Sequence, residues 1–225
     1  MRTIIHVGQH KTGTTSIQNY LRNRRGDLAR EGLYVPDSLM GSDNPSHFLL
    51  NVYALHKHRL SSRKEKLLAT KPPEYFVGLE ARLRNDISRH YQAAEQQGCK
   101  DVIWSNEGLY LLNSPEEYKR LFDLFAKHSS KIVCVCCFRD VESYRTSYMN
   151  QLMKQRISFS EDKDSYRYVK PDSWLFDYKR KEEILKRVFD EVVCFSYNKE
   201  NNVKCFMEQI GYSATNADSI RLNVS

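Results

Sequence analysis

GQHKTGTTS, residues 8–16, sets the terms for the rest of the chain. It follows the apolar run TIIHV, residues 3–7, which has the composition of a buried strand. Residues 14–30 continue as a helical pattern, with Ile17, Leu21 and Leu28 on one face. A glycine-bearing loop between a buried strand and a helix is where backbone N–H groups and the helix dipole bind anions. The spacing nearly matches the phosphate-binding pattern G-x-x-x-x-G-K-[ST]. Gly8 and Gly13 are correctly spaced, and Thr15 occupies the position of the magnesium-binding hydroxyl. The lysine is displaced: position 14 is threonine, and the lysine is residue 11.

Beyond the loop, strands alternate with helices. Apolar runs predict strands at 101–105, at 131–138 (KIVCVCCF) and at 192–197. The 131–138 run is apolar on both faces, as a central parallel strand would be. Helices are expected at 47–55, at 75–97 (Phe76, Leu79, Leu83, Ile87 and Tyr91 recurring at helical spacing), after Asp140, at 174–188 and at 201–210. Ser114, Pro115 and Glu117 predict a helix start with a capping box. Residues 56–73, basic and ending in Pro72-Pro73, suggest a surface excursion. Together these signals predict an α/β fold of the P-loop type, three layers α/β/α around a central parallel sheet, as a single domain over 1–225.

Composition narrows the partners. The 225 residues are 40% hydrophobic and 28% charged, with a net charge of +7. No apolar run approaches the roughly 18 residues of a membrane span. The start of the chain carries no signal-peptide pattern, so a cytoplasmic location is expected. Three of six cysteines fall inside KIVCVCCF and a fourth in VVCFSY. No second ligand cluster accompanies them, so no metal site is expected. The basic balance favours anionic ligands, and the basic stretches are Arg22–Arg30 and His56–Lys66.

Ligands of open parallel sheets bind beyond the carboxyl ends of the strands. Three predicted strands end in polar residues there. The first end is the 8–16 loop, where Lys11, the backbone of Thr12, Gly13, Thr14, Thr15 and Ser16, and the hydroxyls of 14–16 are candidate anion ligands. The second is Trp104-Ser105-Asn106-Glu107, where an NTPase would carry an Asp for magnesium and this chain has Ser105. Glu107 is a candidate general base. The third is Phe138-Arg139-Asp140, with Ser147 about two helical turns on. Arginine offers a fork for phosphate, and serine a further donor.

Together these motifs resemble the sulfotransferases that use 3′-phosphoadenosine-5′-phosphosulfate (PAPS). HVGQHKTGTTSIQNYL, residues 6–21, is similar to the family's 5′-phosphosulfate loop, and FRDVESYRTSYMNQ, residues 138–151, to its 3′-phosphate motif. WSNEGLY, residues 104–110, looks like a strand end of the bacterial carbohydrate branch. RLNVS at the C-terminus resembles a segment often followed by more chain. The resemblance implies that Lys11 and Thr12–Ser16 bind the 5′-phosphosulfate and that Arg139 and Ser147 bind the 3′-phosphate. It also implies transfer of the sulfuryl group to an acceptor hydroxyl, with 3′,5′-adenosine bisphosphate as product and no metal required. Physics suits the displaced lysine: PAPS has no β- or γ-phosphate, and a lysine earlier in the loop serves charge developing at the bridging oxygen. Two bases remain open, Glu107 at the strand end and His47 in NPSHFLLN, with Glu107 preferred. A saccharide or glycolipid acceptor is expected by family analogy. The rivals are a P-loop kinase or NTPase, and a non-catalytic module binding nucleotide or nucleic acid. The absence of lysine at 14 and of a strand-end Asp weighs against the first. Against nucleic-acid binding, no basic stretch interleaves aromatics with base-reading residues.

Overall fold

The computed structural model describes residues 1–41 and 46–214. The RLNVS segment and Pro45 lie outside the described residues. The chain runs β1 (Arg2–Gly8), α1 (Thr14–Asn23), α2 (Arg25–Arg30), β2 (Leu33–Tyr34), α3 (Leu49–Ala54), α4 (Ser62–Thr70) and α5 (Leu79–Gln96). It continues through β3 (Asp101–Asn106), a 3₁₀ turn (Glu107–Leu111), α6 (Pro115–Phe125), β4 (Lys131–Phe138), α7 (Val141–Lys154), α8 (Tyr178–Lys186), β5 (Glu191–Ser196) and α9 (Asn202–Gln209). The five strands form one parallel sheet in the order β2-β3-β1-β4-β5. This is the α/β architecture expected, with helices on both faces.

Alternation along each strand feeds two cores, because successive side chains point to opposite faces. Ile5, Val7, Trp104, Cys134 and Cys136 pack with residues of α3, α5, α6, α7 and α8. Ile4, Ile103, Val133 and Val135 pack with residues of α1, α2 and α9. β1 and β4 are buried on both sides, which is why their sequences lack a polar face. The register aligns the ends that matter: His6 beside Ser105, Val7 beside Asn106, Gly8 beside Cys137.

Local differences from the sequence expectations have plain causes. The 14–30 helix is two helices, broken at Arg24, whose φ of −106° and ψ of 14° leave the helical range. β2 has two residues and exists through its pairing with Asp101 and Val102. Ser114 caps α6 by accepting from the Glu117 amide at 3.3 Å. The Glu117 side chain does not close a box with Ser114. It is fully buried and accepts from the Asn113 amide at 2.7 Å, the His56 amide at 2.9 Å and the Arg59 guanidinium. Residues 56–73 accordingly carry more than an excursion. They include α4, and Arg59, Ser61 and Lys64 are buried while Lys57, Arg63 and Lys66 face solvent.

Candidate active site

The 8–16 loop turns sharply at two left-handed positions, Lys11 with φ 66° and Gly13 with φ 68°. Lysine there costs about 1–2 kcal/mol, a strain that persists only where the surroundings impose it. Alternating left-handed backbone turns successive N–H groups into one concavity. Gly13 is the N-cap of α1 and brings no side chain to cap it, so the helix start presents N–H groups and dipole outward. Gly8 is required for space: a Cβ there would lie 2.3 Å from Cγ2 of Thr14. A Cβ on Gly13 would stand 2.8 Å from Nδ2 of Asn202.

The loop is buttressed from behind. Thr12 Oγ1 donates to the Gln9 carbonyl at 2.7 Å, and Asn202 Nδ2, at the start of α9, donates to the Thr12 carbonyl at 2.8 Å. Gln9 is fully buried, its Oε1 accepting from the Arg139 amide at 2.8 Å and its Nε2 donating to the Tyr110 hydroxyl at 3.3 Å. Lys11 and Thr15 stand exposed, and Ser16 is half-buried. Thr14 differs from expectation: it is buried, and its hydroxyl donates to Oε2 of Glu107 at 2.8 Å. Its remaining offer to an anion is the backbone.

Arg139 leaves β4 at the same edge. Its Nη1 donates to the Lys11 carbonyl at 3.2 Å and to Oγ of Ser147, in the second turn of α7, at 3.3 Å. Its guanidinium lies 5.7 Å from the centroid of the Tyr197 ring. Lys11, Thr12–Ser16, Glu107, Arg139 and Ser147 thus meet at one end of the sheet. His10 joins them, 8% exposed and edge-on to Tyr148 with ring centroids 5.5 Å apart. Burial holds its pKa below the ordinary range, Glu107's charge opposing and Lys11's adding to the depression.

His47 does not join this group. It is 4% exposed, Nδ1 accepts from the Ser105 amide at 3.1 Å, and its own amide donates to the Ser105 carbonyl at 3.0 Å. Its ring stands edge-on to Trp104 at 4.9 Å. Burial pushes its pKa down to about 4. Burial and the bond from the Ser105 amide to Nδ1 fit a structural role for this ring better than that of the base. Ser105 is equally committed: its hydroxyl bonds to Nδ1 of His6 at 2.8 Å and accepts from Nε2 of Gln18 at 3.3 Å. Among the described residues no cluster of three His, Cys, Asp or Glu is arranged to hold a metal.

Sequence reasoning missed Gln9, Asn202 and Tyr197. Gln9 carried a signal, since an amide beside a phosphate-type glycine can brace the loop through both of its polar atoms. Asn202 and Tyr197 carried none, because their partners are far away along the chain.

No family model matches the sequence, and no curated protein matches it. In fold the chain is similar to the crystal structure of a sulfotransferase from Alicyclobacillus acidocaldarius, with a TM-score of 0.54 at 14% identity. The likeness covers 100% of this chain and 87% of that one. At that identity it establishes the shared architecture. Among the described residues no helix is long and apolar enough to cross a membrane.

Proposed function

We propose that the protein is a sulfotransferase that moves a sulfuryl group from PAPS to an acceptor hydroxyl, with a saccharide or glycolipid as the acceptor class. The observation that carries this is Arg139, whose guanidinium bonds both the Lys11 carbonyl and the Ser147 hydroxyl. A loop suited to one anion is thereby joined to an arginine–serine pair suited to a second, as a nucleotide phosphorylated on both sides of its ribose requires. The likeness in fold to a solved sulfotransferase supports the class.

The residues fit this donor. The curled loop, the glycine spaces at 8 and 13 and the uncapped start of α1 suit the phosphosulfate end. PAPS, when bound, supplies an activated sulfuryl group with phosphate as its leaving group. The exposed Lys11 ammonium holds the anionic end and offsets charge at the bridging oxygen. Arg139 and Ser147 hold the 3′-phosphate. Glu107 takes the acceptor proton: Thr14 occupies its Oε2, and Oε1 is the oxygen assigned to that proton. An NTPase would need an acid near Ser105, whose side chain is already committed to His6 and Gln18.

A thermal-shift panel tests the proposal. Stabilisation by 3′,5′-adenosine bisphosphate without Mg²⁺ is expected to reach about 5–10 °C at 100 times Kd. ATP with Mg²⁺ is expected to shift the midpoint little, and a preference for it would sink the proposal.

A further inference from the structure

The 3₁₀ turn that begins with Glu107 is held from outside to an unusual degree. Each of five consecutive carbonyls accepts from a side chain of another segment. Gly108 takes Asn51 Nδ2 at 2.6 Å, Leu109 the Tyr118 hydroxyl at 3.0 Å, and Leu111 Nη2 of Arg59 at 3.1 Å. Tyr110, at 3.1 Å, and Leu112 both accept from Nζ of Lys181. Lys181 projects from α8 and is 1% exposed. The rings of Tyr110, Tyr118 and Trp174 surround its ammonium at 4.9, 5.5 and 5.2 Å. Burying a cation is expensive unless it is fully satisfied. Here carbonyls at the end of a helical turn, where the backbone dipole is negative, do that work together with aromatic faces.

We propose that Lys181 is the positioning residue of the Glu107 turn: its ammonium gathers two carbonyl oxygens at the far end and so fixes how Glu107 faces the loop. This rests on Glu107 being the base. Lys181 itself touches no reacting atom. Burial pushes its pKa down to about 7; Cys136 and Glu117 oppose the shift, and Arg59 and Arg180 add to it. Tyr110, Tyr118 and Cys136, which also face it, are held well above their ordinary ranges by burial and stay neutral. The clamp therefore loses its charge as pH rises through neutrality.

Lys181→Met and Lys181→Arg in the full chain test this. In folded Lys181→Met, amides of 107–112 are expected to exchange about tenfold faster or more. Affinity for 3′,5′-adenosine bisphosphate should hold within about twofold, while kcat falls about 10–100-fold through misplacement of Glu107. Unchanged exchange at 107–112 overturns the proposal. Lys181→Arg keeps a permanent charge, so it should abolish an alkaline limb near pH 7 that the wild type shows in kcat. A pH profile identical to wild type overturns the proposal even where the methionine variant fails to fold. If the wild type transfers no sulfuryl group, the proposed function fails, and exchange at 107–112 still decides the role of Lys181 in the turn.

Discussion

Ser105 and Glu107 are two residues apart at the end of β3, yet they belong to different polar networks. Ser105 belongs to a sealed one. His6, Gln18 and His47 surround it, each less than a tenth exposed and each spending polar atoms on another member or on the backbone. Glu107 belongs to an open one. It is half-buried, bonded to Thr14, and shares an edge with the exposed Lys11 and the half-buried Arg139 and Ser147. Both networks are rich in hydroxyls and imidazoles, and residue type does not separate them. The difference is access to solvent: a polar group sealed inside the fold serves the structure, and one that still faces solvent can serve a ligand.

The largest effect expected from breaking the open network is at Glu107. Glu107→Gln keeps the shape and removes the basic oxygen, so kcat should fall about 10²–10⁴-fold, the range of general-base contributions. Bisphosphate affinity should be nearly unchanged. Steady-state kinetics beside calorimetric binding would check both, and an unaffected rate would remove Glu107 from the chemistry. Next comes Arg139→Ala. Losing a charged bond to phosphate costs about 1.5–3 kcal/mol, so preference for 3′,5′-adenosine bisphosphate over AMP should shrink about 10–100-fold. Unchanged preference would put the 3′-phosphate elsewhere.

The open network was largely legible in the sequence, and the sealed one was not. Gly8 and Arg139 follow directly on apolar runs and Glu107 closely on one, and strand ends at one edge of a parallel sheet must face the same way. The 131–138 strand was legible because a run apolar on both faces fits a central parallel strand. His47 looked like a base because titration range is a property of residue type, whereas its burial depends on Trp104 and the Ser105 backbone. The buried cations were hidden for the same reason. Arg59 and Lys64 lie in a run that reads as solvated, and Lys181 sits in KRKEE. Lys64 donates to the carbonyls of His56, Lys57 and Arg59 behind its own helix, and Arg59 and Lys181 donate to carbonyls more than fifty residues away. β2 exists only as an edge partner of β3, and no two-residue run announces such pairing.

The sealed network has the smaller effects and a different signature, which sharpens the contrast. His47→Ala removes an acceptor from the buried Ser105 amide and an edge contact on Trp104. At pH 8 it should cost about 2–3 kcal/mol of stability while folded protein keeps its kcat within about twofold. The gap should then close in acid. The folded-state pKa of His47 is depressed to about 4 from the ordinary 6.5, so the folded protein resists a proton that the unfolded chain accepts. Its contribution is fully present above pH 6.5 and is lost as pH falls towards 4, at up to about 1.4 kcal/mol per pH unit. His6, pushed to about 3 by burial, adds a parallel loss down to lower pH, but it is present in both proteins and cancels from their difference. Urea unfolding of wild type and variant at pH 8, 6 and 4.5 checks this. A stability gap that stays constant across that range would mean that His47 is not held neutral in the folded state, and the sealed network would then lose its distinction from the open one.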